Sequence, residues 1–124
     1  MNILYVGLGG FIGASLRYLV STWFAKIMGT QFPYGTLVVN IVGAFLIGFI
    51  MELSLNTDLV TPESRLFLTT GIMGGLTTFS TFSYETMNMI GEGSYFLGSM
   101  NIVLNLSLSL IGVIIGKYVS NLIL

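Results

Sequence analysis

Gly74-Gly75-Leu76-Thr77-Thr78-Phe79-Ser80-Thr81-Phe82-Ser83 lies in the middle of an uncharged run bounded by Arg65 and Glu85. Such a run is long enough to cross a bilayer, which takes about 20 apolar residues. Yet at mid-depth it carries two glycines, five hydroxyl side chains and two phenylalanines. Gly-Gly followed by Thr-Thr is poor helix material, because glycine is flexible and threonine is stiff at χ1. A break there bares backbone carbonyls in hydrocarbon, where each unsatisfied group costs several kcal/mol. It survives only if it is buried in protein, coordinates an ion or lines a water-filled cavity. A kinked packing helix would also use the glycines, but the density of hydroxyls favours an ion site.

The rest of the chain agrees with a membrane setting. Its 124 residues are 54% hydrophobic and 7% charged, with a mean hydropathy of +0.93. Soluble domains carry about 25% charged residues, so this chain lacks the polar groups to cover a globular surface. Cysteine and histidine are absent, which excludes disulfides, thiolate or imidazole metal sites and the commonest general base. A net charge of −1 gives no case for nucleic acid or a polybasic lipid anchor. The first apolar run begins at Ile3 without a basic region before it, so it reads as a retained span and not a removable signal.

Four spans are expected, at about residues 3–25, 34–51, 66–84 and 95–116, the third broken near its middle. Together they make residues 1–124 a single four-helix transmembrane unit, all-α in class. Thr61 before Pro62 and Glu63 reads as an N-cap with proline at the first helical position. Small residues four apart recur in every span: Gly9 with Gly13, Ala44 with Gly48, Gly71 with Gly75, Gly112 with Gly116. In lipid these let backbones approach closely where no hydrophobic force draws helices together. Four helices enclose little volume, so an ion pathway calls for a second subunit. Arg65 and Lys117 fall on the side of the termini, and Arg17 and Lys26 toward the other. Two against two leaves the positive-inside rule without a preference, which admits insertion in both orientations and an antiparallel homodimer.

Several polar residues inside spans are candidates for chemistry. Asn40 lies near the centre of the second span; its amide offers two N–H donors without formal charge, suited to an anion that must leave again, or it glues helices together. Asn101, Asn105 and Ser109 recur every fourth residue and share one helix face. Thr81 and Glu85 are also four apart, so with Ser80 a hydroxyl line leads toward a carboxylate at the helix end. Phe79 and Phe82 fall on roughly one face; such pairs usually pack, but ring edges carry positive charge and can favour an anion. Arg17 is the only charge well inside a span, a position that is functional by default unless the side chain snorkels.

Three segments resemble the signature segments of the CrcB/Fluc fluoride channels, in order and register. They are Gly9-Gly10-Phe11-Ile12-Gly13-Ala14-Ser15-Leu16-Arg17-Tyr18, then Gly35-Thr36-Leu37-Val38-Val39-Asn40-Ile41-Val42-Gly43, then Gly74 through Phe82. The fourth span matches only in its polar face. The resemblance implies an antiparallel, dual-topology homodimer in the cell membrane, with two fluoride pores along the subunit interface. It implies a central sodium ion held by the backbone carbonyls of Gly74 and Thr77 from both subunits. Phe79 and Phe82 resemble the family's pore phenylalanines, and Asn40 its pore amide. Ser80, Thr81 and Glu85 resemble its polar track, and Arg17 would sit near the pore entrance; Asn105 and Ser109 extend the pathway onto the fourth span.

The expected function is therefore passive, fluoride-selective export from the cytoplasm that relieves fluoride toxicity, without enzymatic activity. The rival is a small proton-coupled antiporter using Glu85, which would need its carboxylate at mid-membrane, whereas Glu85 lies toward a helix end. A non-transporting assembly factor would have no use for a broken, hydroxyl-rich span.

Overall fold

The apolar runs become helices and the polar stretches between them become turns. In the computed structural model, which describes residues 1–123, those residues contain helices and no strand. Helix α1 is Asn2–Met28 and α2 is Tyr34–Asn56. The broken span follows: α3 (Pro62–Arg65), a π-helical segment (Leu66–Met73), α4 (Gly74–Leu76) and, after the break, α5 (Phe79–Gly91). Helix α6 is Tyr95–Ile123. Helices α1, α2 and α6 are each long and apolar enough to cross a membrane; the 27 residues of α1 alone rise about 40 Å. The broken span is the bent fourth member, and the chain is a multi-pass membrane protein.

The helices outrun the expected spans: α2 continues to Asn56 and α6 to Ile123, because helical hydrogen bonding does not stop at the edge of the apolar stretch. Thr61 caps α3, its hydroxyl accepting from the Ser64 N–H at 3.1 Å with Pro62 in the first turn. The π-helical segment is not announced by sequence. There the Gly74 N–H reaches back five residues to the Thr69 carbonyl, a wider turn of the kind that gathers at functional sites. Glycines at positive φ make two of the turns, Gly29 (82°) after α1 and Gly93 (87°) before α6.

Two close crossings build the unit: α1 packs on the π-helical segment and α4, and α2 packs along α6. At the first, a Cβ on Gly9 would stand 2.8 Å from the Gly71 Cα, so backbone lies on backbone. At the second, a Cβ on Gly116 would strike the Phe45 carbonyl. The interior is correspondingly polar. Six hydrophobic residues and six polar ones are buried, while Phe11, Phe96, Leu106 and Ile114 are more than half exposed. This inversion of a soluble core is what a lipid environment asks for, since apolar side chains lose nothing by facing it.

Candidate functional site

The break in the third span is made by side chains that take over backbone hydrogen bonds. Thr77 and Thr78 are extended between α4 and α5. A continuous helix would give the Thr78 N–H to the Gly74 carbonyl and the Thr81 N–H to the Thr77 carbonyl. Instead the Thr78 N–H donates to Asn40 Oδ1 at 2.9 Å. The Thr81 N–H donates to Thr78 Oγ1 at 3.2 Å, so Thr78 caps α5. The Gly74 and Thr77 carbonyls thus lose their helical donors. Their neighbours do not share this state: Gly75 accepts from Arg17 Nε at 3.1 Å and Thr78 from Asn40 Nδ2 at 3.3 Å. The Thr77 hydroxyl turns back to the Met73 carbonyl at 2.9 Å and so does not occupy the carbonyls of Gly74 and Thr77.

Beside the break runs an open groove of about 720 Å³. Asn40, Gly74 and Thr77 line it at the break; Phe79, Phe82, Asn105 and Ser109 line it from α5 and α6. Seven residues singled out in the sequence therefore share one concavity. The Phe79 and Phe82 rings lie 5.7 Å apart between centroids at 52°, and Phe79 is 79% exposed. The groove sets amide, hydroxyl and ring-edge groups on an apolar wall without fixed positive charge. The two free carbonyls, with no group of three or more Asp, Glu, His or Cys among the described residues, suit a hard monovalent cation better than a divalent one.

Other candidates lie elsewhere. Ser80 is exposed and Thr81 half-buried, and neither lines the groove. Glu85 borders a second cavity of about 430 Å³ with Thr36, Asn88 and Glu92. One Glu85 carboxylate oxygen is buried there without a hydrogen-bond partner. Arg17, expected near the pore entrance, donates to the Gly75 carbonyl of α4, two residues before the break. Asn40, expected either to glue helices together or to offer two donors to an anion, has both N–H groups engaged across helices, by Thr78 O at 3.3 Å and by Asn105 Oδ1 at 2.9 Å. Thr78 and Thr86 were not singled out by residue type. Thr78 could have been found as the hydroxyl directly before the second half-helix, whereas Thr86 has meaning only through its tertiary contact with Asn101.

Comparison with known proteins covers nearly the whole chain. The family described as CrcB-like protein, Camphor Resistance (CrcB), matches residues 4–117. A protein of Clostridium perfringens (strain 13 / Type A) named fluoride-specific ion channel FluC is 60% identical over 120 residues, 97% of this chain and 94% of that protein. A protein of the same name from Clostridium novyi (strain NT) is 58% identical over 120 residues, with the same coverage of both chains. One from Geotalea daltonii is 45% identical over 122 residues, 95% of this chain and 98% of its own length.

Proposed function

The chain belongs to the CrcB-like family, and we propose from that premise that it is a fluoride-selective channel exporting the anion passively across the cell membrane. The observation that carries this reading is the match, at up to 60% identity over 97% of the chain, to relatives named as fluoride-specific ion channels. The groove supports it chemically. Fluoride is small and strongly hydrated, so a pore must replace water with donors that hold it without trapping it. Amide N–H groups, hydroxyls and phenyl edges meet that need; the groove is lined by residues of each kind, its amide N–H groups resting on Thr78, Asn105 and Asn101. An inside-negative potential drives an anion outward by about 2.3 kcal/mol per 100 mV, so no further energy source is required.

The working unit in this reading is an antiparallel homodimer. In a single copy the groove is partly open, and Phe79 on its wall is largely uncovered. Amides and carbonyls left facing lipid are costly, so a second copy across the groove would convert it into enclosed pathways. The evenly divided cationic residues leave the positive-inside rule without a preference and so admit insertion in both orientations. At the dimer centre, the Gly74 and Thr77 carbonyls of both copies would hold one sodium ion. The loss of their helical donors to Asn40 and Thr78 supports that role. The antiporter alternative is weakened by the position of Glu85, which borders the second cavity and not the groove.

The test is anion efflux from liposomes containing purified protein. Fluoride should leave and chloride should not, with no proton gradient imposed. Equal permeability, or a strict need for a proton gradient, would remove the channel assignment.

A further inference from the structure

Behind the groove runs a chain of hydrogen bonds in which each member has only one way round. The Thr86 hydroxyl donates to the Phe82 carbonyl at 2.8 Å. A carbonyl can only accept, so the hydroxyl hydrogen is committed and Thr86 Oγ1 is left as an acceptor. Asn101 must then turn its Nδ2 toward Thr86, and it does so at 2.8 Å. Its Oδ1 consequently faces Asn105, whose Nδ2 donates to it and to the Asn101 carbonyl, both at 2.9 Å. That leaves Asn105 Oδ1 to accept from Asn40 Nδ2, and Asn40 Oδ1 to accept the Thr78 N–H. The chain is anchored on backbone at both ends, at the Phe82 carbonyl and the Thr78 N–H. These ends bracket the first turn of α5, which carries both groove phenylalanines.

Asn101 is 0% and Thr86 4% exposed, and neither lines the groove. They cannot touch an ion there. They can act only through Asn105 and Asn40, which do line it. In a water-poor interior such chains polarise along their length and hold their members in one orientation.

We infer that Asn101 and Thr86 are positioning residues, which through Asn105 fix the orientation of the Asn40 amide and the seat of Phe82. This rests on the channel reading above. An anion at Asn40 would draw on the N–H that makes the longer contact, 3.3 Å to the Thr78 carbonyl, while the 2.9 Å contact to Asn105 keeps the amide aimed. With Thr86 Oγ1 gone, Asn101 Nδ2 loses the acceptor that dictates its orientation, and Asn105 and Asn40 are left aimed only by their backbone contacts, at the Asn101 carbonyl and at Thr78.

The experiment compares Thr86→Val, which keeps shape and removes the hydroxyl, with Thr86→Ser, which keeps the hydroxyl. Fluoride flux per folded dimer should fall about tenfold or more in Thr86→Val, the scale of a buried hydrogen bond left unmade, and recover most of the way in Thr86→Ser. Normal flux in folded Thr86→Val, or equal losses in both variants, would overturn the inference. A second measurement needs no variant: side-chain amide resonances of 15N-asparagine-labelled wild-type protein, titrated with sodium fluoride against sodium chloride. The fully buried Asn101 amide should shift together with that of Asn40 under fluoride alone; a stationary Asn101 amide beside a moving Asn40 would overturn the inference even if Thr86→Val failed to fold. Wild-type fluoride flux tests the channel reading separately from either comparison.

Discussion

The broken span is held on two sides by opposite means. Toward α1 it is fitted by shape: Gly9 and Gly13 meet Gly71, Ile72 and Leu76 backbone to backbone, and Arg17 alone adds a polar contact, to Gly75. Toward α2 and α6 it is fitted by hydrogen bonds, through Asn40, Asn105 and the amides behind them. The first side leaves no room for a side chain; the second leaves a groove. A shape-fitted platform on one side allows the other to carry unsatisfied carbonyls and an open helix end without collapsing. The same span is thus scaffold on one face and site on the other.

The sharpest way to break this comparison is to add volume to the scaffold face. A Cβ at Gly9 would lie 2.8 Å from the Gly71 Cα and 2.9 Å from the Ile72 nitrogen, and backbone cannot swing aside. Gly9→Leu should therefore abolish recovery of folded protein, measured as monodisperse yield after detergent extraction. A folded Gly9→Leu would mean that the α1 crossing is looser than its geometry.

On the site face, substitutions should remove function before they remove the fold. Asn40→Asp keeps the acceptor for the Thr78 N–H but loses both donors and places a carboxylate beside the proposed anion path. Like charges about 4 Å apart repel by roughly 4 kcal/mol at an effective dielectric near 20, so flux should drop by about 100-fold or more. Phe82→Ile comes next. It keeps aliphatic volume and removes the ring edge, an interaction on the order of 1 kcal/mol, so flux should fall about fivefold to tenfold with dimer yield retained. Full flux in Phe82→Ile would assign the ring to packing alone.

Much of this division could be read from residue order, and the physical reason is period. Long apolar runs and a Gly-Gly-Thr-Thr interruption are local signals, so the three continuous helices and the break are legible. So is the polar face of α6, because Asn101, Asn105 and Ser109 keep helical spacing. The π-helical segment is not, since a change from four-residue to five-residue bonding leaves the composition of Leu66–Met73 untouched. Nor is the engagement of Asn40, which depends on Asn105, 65 residues away, and on Thr78, 38 away. Such pairings belong to helix crossings, and helical periodicity shows which face a residue occupies without showing what stands opposite. Glu85 illustrates the same gap: three residues from Phe82 on one helix, it borders the second cavity while Phe82 lines the groove.

The smallest expected effect is also the one that asks what covers the groove. Gly74 shares the span with Gly71 and Gly75, yet a Cβ there would meet only the Thr69 carbonyl, at an ordinary 3.7 Å. Within one copy, then, Gly74→Ala should be tolerated, and the gain in helix propensity over glycine, roughly 1 kcal/mol, runs in its favour. Helix content by circular dichroism and folded yield should match the wild type. If a second copy closes over the break, however, the added methyl projects toward that copy near the twofold centre, where the carbonyls of Gly74 and Thr77 would converge. Dimer dissociation, followed by single-molecule photobleaching over a dilution series in liposomes, should then shift toward monomer by a few-fold with the fold intact. Gly75→Ala makes the matching control, since its Cβ would stand 2.7 Å from the Gly10 carbonyl and should damage the fold of one copy first. An unchanged dimer in Gly74→Ala would place the subunit interface elsewhere on the molecule and leave the groove facing lipid.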